Sequence, residues 1–497
     1  MDDITETIAA YATDFDFGDL RAATVATAID HIVDGIGCAI AGFAEQPALI
    51  ARSLAAETAG LKGGASVFGA QALCAPDHAA FANGVMMRCL DYNDTLNSLT
   101  GGHPSDMIPA ILTAAEISGA DGRAFIGGVY VAYEVFGALA AVIPLRTLGI
   151  DQGVFIAIAG AAGMGYAMGL DRKTTANAIS LGVTTTVPLR ASRAGALSAW
   201  KGCATPHSVM NAVFVTRLAM RGMEAPPNPF SGEQGLFERI GGPFDLDHLG
   251  APEDGRQVIE RTAIKFLPVE WCAQAPVELF LGLGKHLNWR DIEAVEVHGY
   301  EFLVNEIGGG RNDAAEKWDP KTRETADHSL AYILAVTLVD GGVSLESFDL
   351  ERVGDPALRP RMQKISVALD PATRDLNSPR QPVRFTIRLK GGNVIEEACE
   401  YPFGHPMNPA SSDKVSEKFM NLAGRTADAG AASDMLAILR GLAGAPDVAA
   451  LTTAMRNYPV KYRCAATVFC LFKSWIWGKG LAPPSGSNRA GKTVRNR

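Results

Sequence analysis

The chain has few of the residues from which metal, nucleotide or redox sites are usually built. Its eight cysteines, Cys38, Cys74, Cys89, Cys203, Cys272, Cys399, Cys464 and Cys470, contain no CxxC pair, which excludes a zinc ribbon or a dithiol redox motif and leaves them as buried thiols. The nine histidines are dispersed and none stands in an HExxH run, so no transition-metal catalyst is expected. A thiolate cluster for an iron–sulfur centre is missing too. Ile307 to Arg311 (IGGGR) has glycines but neither the GxGxxG spacing nor a following Lys-Ser/Thr, so it does not make a phosphate loop. No metal and no cofactor are expected. Basic charge is in deficit, 45 Lys and Arg against 54 Asp and Glu for a net charge of −9, and this excludes a nucleic-acid surface. An anionic substrate stays open, since a few buried cations can overcome the mean field of an acidic protein. The opening MDDITETIAAYATDFDF is acidic and lacks a basic stretch followed by an apolar one, so a cytoplasmic protein is expected. Gly153 to Leu170 is uncharged but rich in Gly and Ala and flanked by Asp151 and Asp171; it reads as a buried helix, not a membrane span.

What is present is a long helical pattern. At 497 residues the prior is about two or three domains. From Ile4 to about Arg261 apolar residues recur at helical spacing, with almost no strand alternation. From Ile264 the pattern changes, and Ile292–Val297, Met362–Ala368, Val383–Leu389 and Val394–Glu400 alternate as half-buried strands do. The fold class is therefore mainly α: a large helical domain over 1–263, a smaller α+β domain over 264–405, and a return to the helical domain over 406–475. The tail, 476–497, ends in NRAGKTVRNR, which has little to pack and is expected to be disordered.

One stretch asks for a chemical explanation. Leu90 to Ser105, LDYNDTLNSLTGGHPS, concentrates two carboxylates, two amides, five hydroxyls and an imidazole. Upstream, Ala79 to Leu90 reads as an apolar helix, so Asp91 and Thr95 stack one turn apart if the helix continues. Gly101 and Gly102 permit a reversal, Pro104 holds His103 extended, and Ser105 or Asp106 caps a helix beginning at Met107. His103 then lies beside a helix N-terminus, where anions bind readily. Glu134, within an apolar helix, reads as a hydrogen-bonded structural acid, and His207 as a packing residue. Lys201 opens a long helix, where a cation opposes the helix dipole, and this favours a functional role.

The LDYNDT run followed by HPS resembles the signature of the MmgE/PrpD family, the group of 2-methylcitrate dehydratases and cis-aconitate decarboxylases. The resemblance extends over about residues 20–460. Ile150 to Leu170 is similar to a family block that opens with Asp-His, and here Asp151 is followed by Gln152 in place of that histidine. SAWKGCATPHS carries Lys201 where the family has a lysine. The Pro/Gly-rich PPNPFSGEQGLFERIGG (Pro226 to Gly242) resembles a family connector, IKFLPVEWCAQ supplies Lys265 and Gln274, and RETADHSLAY, Arg323 to Tyr332, is similar to the dehydratase branch. The resemblance implies a homodimer and a small domain of the lid type, and the two-part architecture predicts a pocket between the two domains. It implies His103, Asp91, Lys201 and Tyr332 as catalytic residues, and Thr95, Lys265, Gln152, Gln274 and Arg323 as substrate contacts; Arg323 and His328 read either as carboxylate contacts or as ordered loop residues.

Removing water from a β-hydroxy polycarboxylate needs a base for the proton beside a carboxylate, an acid for the departing hydroxyl, and cations that hold the developing charge. His103, oriented by Asp91, is the expected acid/base, Lys201 and Lys265 the cations, and Thr95 and Tyr332 the hydrogen-bond donors. The expected function is a cofactor-free hydro-lyase of the 2-methylcitrate dehydratase type. A cis-aconitate-type decarboxylase, an epimerase or a non-catalytic carboxylate binder are the alternatives on this scaffold, because Gln152 can hydrogen-bond but cannot move a proton near neutral pH. Neither nucleic acid nor membrane is expected as a partner.

Overall fold

Helix boundaries follow the capping chemistry of the chain. The computed structural model describes residues 1–283, 287–373 and 381–459; the expected disordered tail, 476–497, and Cys464 and Cys470 lie outside the described residues. Asp2, Asp121 and Asp171 each accept a backbone N–H near the start of the helices Asp3–Asp14, Gly122–Val142 and Arg172–Thr185, satisfying donors that a helix start leaves open. Ser411 does the same for Ser412–Ala423 by accepting from Lys414. Gly122–Val142, Gly153–Ala167 and Ala204–Ala219 are buried in succession against one another, and Ala22–Gly42 is buried mainly against Pro76–Arg88 and Ser412–Ala423. Ala22–Gly42 and Gly122–Val142 are long and apolar enough to cross a membrane, yet 83% and 89% of their most apolar windows are covered by the fold.

The apolar run starting at Gly153 is a buried core helix, and its small residues have a specific use. It crosses Gly122–Val142 so closely that a Cβ on Gly128 would come 2.7 Å from the Gly163 carbonyl, and one on Gly163 would come 2.5 Å from that of Gly128. Only glycine fits at both positions. Cys38, Cys74, Cys89, Cys203 and Cys272 are buried, and Cys399 is half-buried. The helix Ala22–Gly42 runs through Gly42 and ends in an αR cap at Phe43.

Strand β1 (Thr95–Leu96) pairs antiparallel with β2 (Thr262–Ala263), Thr95 opposite Ala263. Beyond β2 the chain builds a second sheet from β3 (Ile292–Gly299), β4 (Ile365–Leu369), β5 (Val383–Leu389) and β6 (Val394–Cys399), in the order β4-β3-β5-β6. β3 is parallel to β4 and antiparallel to β5, and β5 to β6 is a hairpin. Helices Gln274–Leu283 and Leu330–Asp340 share an apolar core with the sheet's inward residues, among them Val295, Val297, Phe385 and Ile387. The helical return from Ser412 packs against Ala22–Gly42, and Lys418 there reaches Asp34 at 2.5 Å and the Tyr92 carbonyl at 2.9 Å. Residues Met1–Pro459 form one compact unit.

Candidate functional site

The helix Pro76–Arg88 ends sooner than its apolar pattern suggests. Asp91 adopts φ +52°, in the left-handed region, so the helix does not continue to Thr95, which sits on β1 instead. Asp is one of the residues that tolerates this conformation, and the turn aims its carboxylate inward. Arg88 donates to Oδ1 in a short contact. Lys265 Nζ lies 3.2 Å from Oδ1 and donates to the Asp91 carbonyl at 2.7 Å. Lys201 Nζ stands 3.4 Å and His328 Nε2 3.7 Å from Oδ2, while His103 Nε2 is 3.9 Å from Oδ1. Burial alone pushes this carboxyl up, but Arg88, Lys201 and Lys265 outweigh it and hold it well below the usual carboxylate range.

His103 is oriented by a backbone group. Its Nδ1 lies 2.6 Å from the Asp94 carbonyl oxygen, which can only accept, so Nδ1 carries the proton and the Nε2 lone pair is free. Burial, then Arg88 and Lys265, hold the imidazole well below its ordinary pKa, so it is a neutral base at pH 7. Asp94 is itself fixed: Ser105 donates to Oδ1 from its N–H at 3.1 Å and its hydroxyl at 2.5 Å, and Tyr133 donates to Oδ2 at 2.6 Å. Asn93 spans Ser105 Oγ at 2.9 Å and Asp106 Oδ1 at 2.8 Å. Ser105 and Asp106 therefore cap no helix; their side chains brace the loop, and a short 3₁₀ turn, Pro104–Met107, precedes the helix at Ile108. Gln152 accepts the His103 backbone N–H at 2.8 Å.

These groups open on a common cleft, the concave setting in which small-molecule sites are usually built. His103, Asp91, Lys201, Thr95 and Gln152 all line it. Thr95 donates to the Gly102 carbonyl at 3.3 Å. Lys201, in the turn Ala199–Gly202, contacts Asp327 Oδ1 at 3.0 Å and His328 Nδ1 at 3.1 Å. Asp91, Asp327 and His328 are spaced as a cation's ligands would be, and the Lys201 ammonium within 3.4 Å of all three supplies the positive charge there.

Four expected contacts fall elsewhere. Tyr332 is fully buried in the core beneath the four-stranded sheet, and its hydroxyl donates to the Ser347 carbonyl at 2.5 Å; it does not line the cleft, because its helix faces apolar neighbours. Gln274 is bound on both ends of its amide to the Phe266–Val269 loop. It braces the segment that carries Lys265. Arg323 opens a short helix and lies 3.7 Å from Glu45, outside the cleft. Lys265 is completely buried and reaches the site only through Asp91. His207 is at the surface beside Trp200 rather than packed in the core. Glu134 is the structural acid expected, accepting from Val258 N–H at 2.8 Å.

Sequence reasoning missed Arg88, Arg146, Arg190, Arg193 and Glu270, which also line the cleft. A lone arginine in an otherwise apolar helix, three residues before Asp91, is the signal that finds Arg88; Arg146 and Glu270 have no comparable signal. Glu270, pushed up to about 7 by burial, is an acid with a transferable proton near neutral pH.

A mainly helical protein with a cation-rich cleft organised around one ionised aspartate and one neutral histidine is thus built to hold and deprotonate a small anion. Residues 6–249 match the MmgE/PrpD N-terminal domain and residues 267–441 the MmgE/PrpD C-terminal domain: the chain belongs to the MmgE/PrpD family. It is 29% identical over 433 residues to a 2-methylcitrate dehydratase of Cupriavidus necator, covering 80% of this chain and 86% of that one. To a 2-methylcitrate dehydratase of Salmonella typhimurium it is 28% identical over 392 residues, 72% and 78% of the two chains. To an alkylcitrate dehydratase from a fungal species it is 26% identical over 431 residues, 78% and 81%.

Proposed function

We propose that this protein is a hydro-lyase that removes water from a small polycarboxylate of the 2-methylcitrate type. The observation that carries the reading is the His103 imidazole, neutral and with Nε2 free, beside the Lys201 ammonium in one cleft. Relatives named 2-methylcitrate and alkylcitrate dehydratases support the choice of substrate class.

In this reading Nε2 of His103 takes the proton from the carbon next to a substrate carboxylate. The electron pair of that C–H bond forms the new double bond, and the neighbouring C–O bond breaks. The hydroxyl leaves as water on taking the proton of Glu270, the carboxylic acid that lines the cleft. Charge building on the carboxylate during abstraction meets Lys201, held in place before reaction by Asp91 and Asp327; such preorganised charge is commonly the largest single contribution to rate. Lys265 fixes Asp91 from behind, so its role is positioning.

The test is incubation with 2-methylcitrate and citrate while following the ultraviolet absorbance of an unsaturated carboxylate product, with NMR identification. Formation of the alkene supports the reading. Carbon dioxide release from cis-aconitate without dehydration would move it to the decarboxylase alternative, and ligand-induced thermal shift without any new species would make the protein a binder.

A further inference from the structure

The Asp91 cluster explains one wall of the cleft and leaves another unexplained. Of the five cations that line it, four have a carboxylate partner: Arg88 with Asp91, Arg190 with Glu306, Arg193 with Asp151 and Lys201 with Asp327. Arg146 has none within ion-pair distance among the described residues. Glu306, the acid that influences it most, is engaged by Arg190 at 2.5 Å and Arg311 at 2.8 Å. Arg146 is nonetheless fixed. Its guanidinium lies over the Phe302 ring at 4.0 Å from the centroid, and Nη2 donates to the Gly101 carbonyl at 3.1 Å. Stacking takes one face of the plane and Gly101 takes one N–H, which leaves further in-plane donors of a group suited to a carboxylate.

A second observation points the same way. Nη2 of Arg193 is buried without an acceptor among the described residues, an arrangement that costs free energy. The two arginines come from neighbouring turns, Leu145–Leu148 and Arg190–Arg193. These are clamped by the Ile150–Leu189 bridge and by the Arg190 N–H donating to the Gly149 carbonyl at 2.8 Å.

We propose that Arg146, stacked on Phe302 and held by the Gly101 carbonyl, is the subsite for a further carboxylate of the ligand and selects tricarboxylates over dicarboxylates. The choice of ligand class rests on the lyase reading above. Burial lowers Arg146 only to about 10, so it stays charged at neutral pH and the subsite is ready before the ligand enters.

The experiment is calorimetric titration of the full-length protein with propane-1,2,3-tricarboxylate, which has no hydroxyl to eliminate, and with glutarate, which lacks the third carboxylate. Wild-type protein, Arg146→Gln and Arg146→Lys are compared. The tricarboxylate is expected to bind the wild type about tenfold or more tighter than glutarate. Arg146→Gln should weaken it by ~10–100-fold, the loss of a charge-assisted pair, and leave glutarate within about twofold. Arg146→Lys, which keeps the charge without the planar fork, should fall between and is the informative variant if the glutamine variant does not fold. Unchanged tricarboxylate affinity in a folded variant, an equal loss for both ligands, or a wild type that fails to distinguish them overturns the proposal. If the wild type turns over 2-methylcitrate while Arg146 has no effect, only the subsite fails. If Arg146-dependent binding is found with no dehydration, only the lyase reading fails.

Discussion

At the scale of single residues, His103 and Asp91 make separable demands. His103→Ala should lower kcat by ~10²–10⁴, the range of a lost general base, with an unchanged unfolding transition, since the imidazole is a cleft-lining group; steady-state rates alongside circular dichroism check both halves, and an unaltered kcat removes it from the chemistry. Asp91→Asn is expected to damage the fold as well as the activity. It leaves Arg88, Lys201 and Lys265 near one another without their shared anion, and breaking a buried ion pair from one side costs ~3–5 kcal/mol. Urea unfolding measures this, and a stability loss under about 1 kcal/mol, the worth of an exposed pair, would show that the cluster is not held by that carboxylate. The residue scale is also where the sequence misleads most. Tyr332, Gln274 and Arg323 stand in motifs that suggest contact with substrate, and each is instead turned toward a backbone carbonyl, a loop or a surface acid.

At the scale of elements, the site depends on two joints that bring distant segments together. The first is the 101–104 turn against the start of the Gly153 helix. A Cβ on Gly102 would fall 1.5 Å from Gln152 Oε1 and 2.7 Å from the Phe136 ring, so Gly102→Ala should push Gln152 off the His103 backbone and lower kcat. Adding Gln152→Ala to it should restore part of the loss if the clash is with that side chain; no restoration would place the damage at Phe136. The second joint is the returning helix Ser412–Ala423, whose Lys418 bridges Asp34 and the Tyr92 carbonyl. Lys418→Met leaves Asp34 buried without its counter-charge, and a loss of ~3–5 kcal/mol is expected in urea unfolding, together with lower activity because Tyr92 adjoins Asp91. A variant as stable as the wild type would mean the helix is held by apolar packing alone. The strands were legible as alternation and the helices as periodicity. The exact end of the Pro76–Arg88 helix was not, because a left-handed Asp91 has no composition signal.

At the scale of the whole molecule, buried ionisable groups set a pH dependence of stability. Burial pushes Glu134 up to about 8, Glu270 to about 7 and Asp106 to about 6. The folded state keeps protons that unfolded carboxyls lose near ~4, so the stability these groups contribute is fully present below that pH and is lost as pH rises through 6 to 8. His328, held down to about 4 by burial and Lys201, acts oppositely: the unfolded chain binds its proton below ~6.5, so this stability is lost as pH falls. Between about pH 6.5 and 8.5 His328 is neutral in both states while Glu134 and Glu270 lose their protons in the folded state, and the urea midpoint should decline. Glu134→Gln keeps an acceptor for the Val258 N–H and should flatten the decline; an equally steep decline would assign it to other groups. The amino-acid sequence by itself determined the mainly helical class, the change to strands after Ile264 and the importance of Leu90 to Ser105, because periodicity, caps and local concentration of polar groups act between near neighbours in the chain. Only the tertiary structure decided which of the candidate side chains share a cleft. That choice depends on a left-handed turn at Asp91, the pairing of Thr95 with Ala263 and the helix that returns from residue 412, and each joins segments whose separation along the chain carries no information about their distance in space.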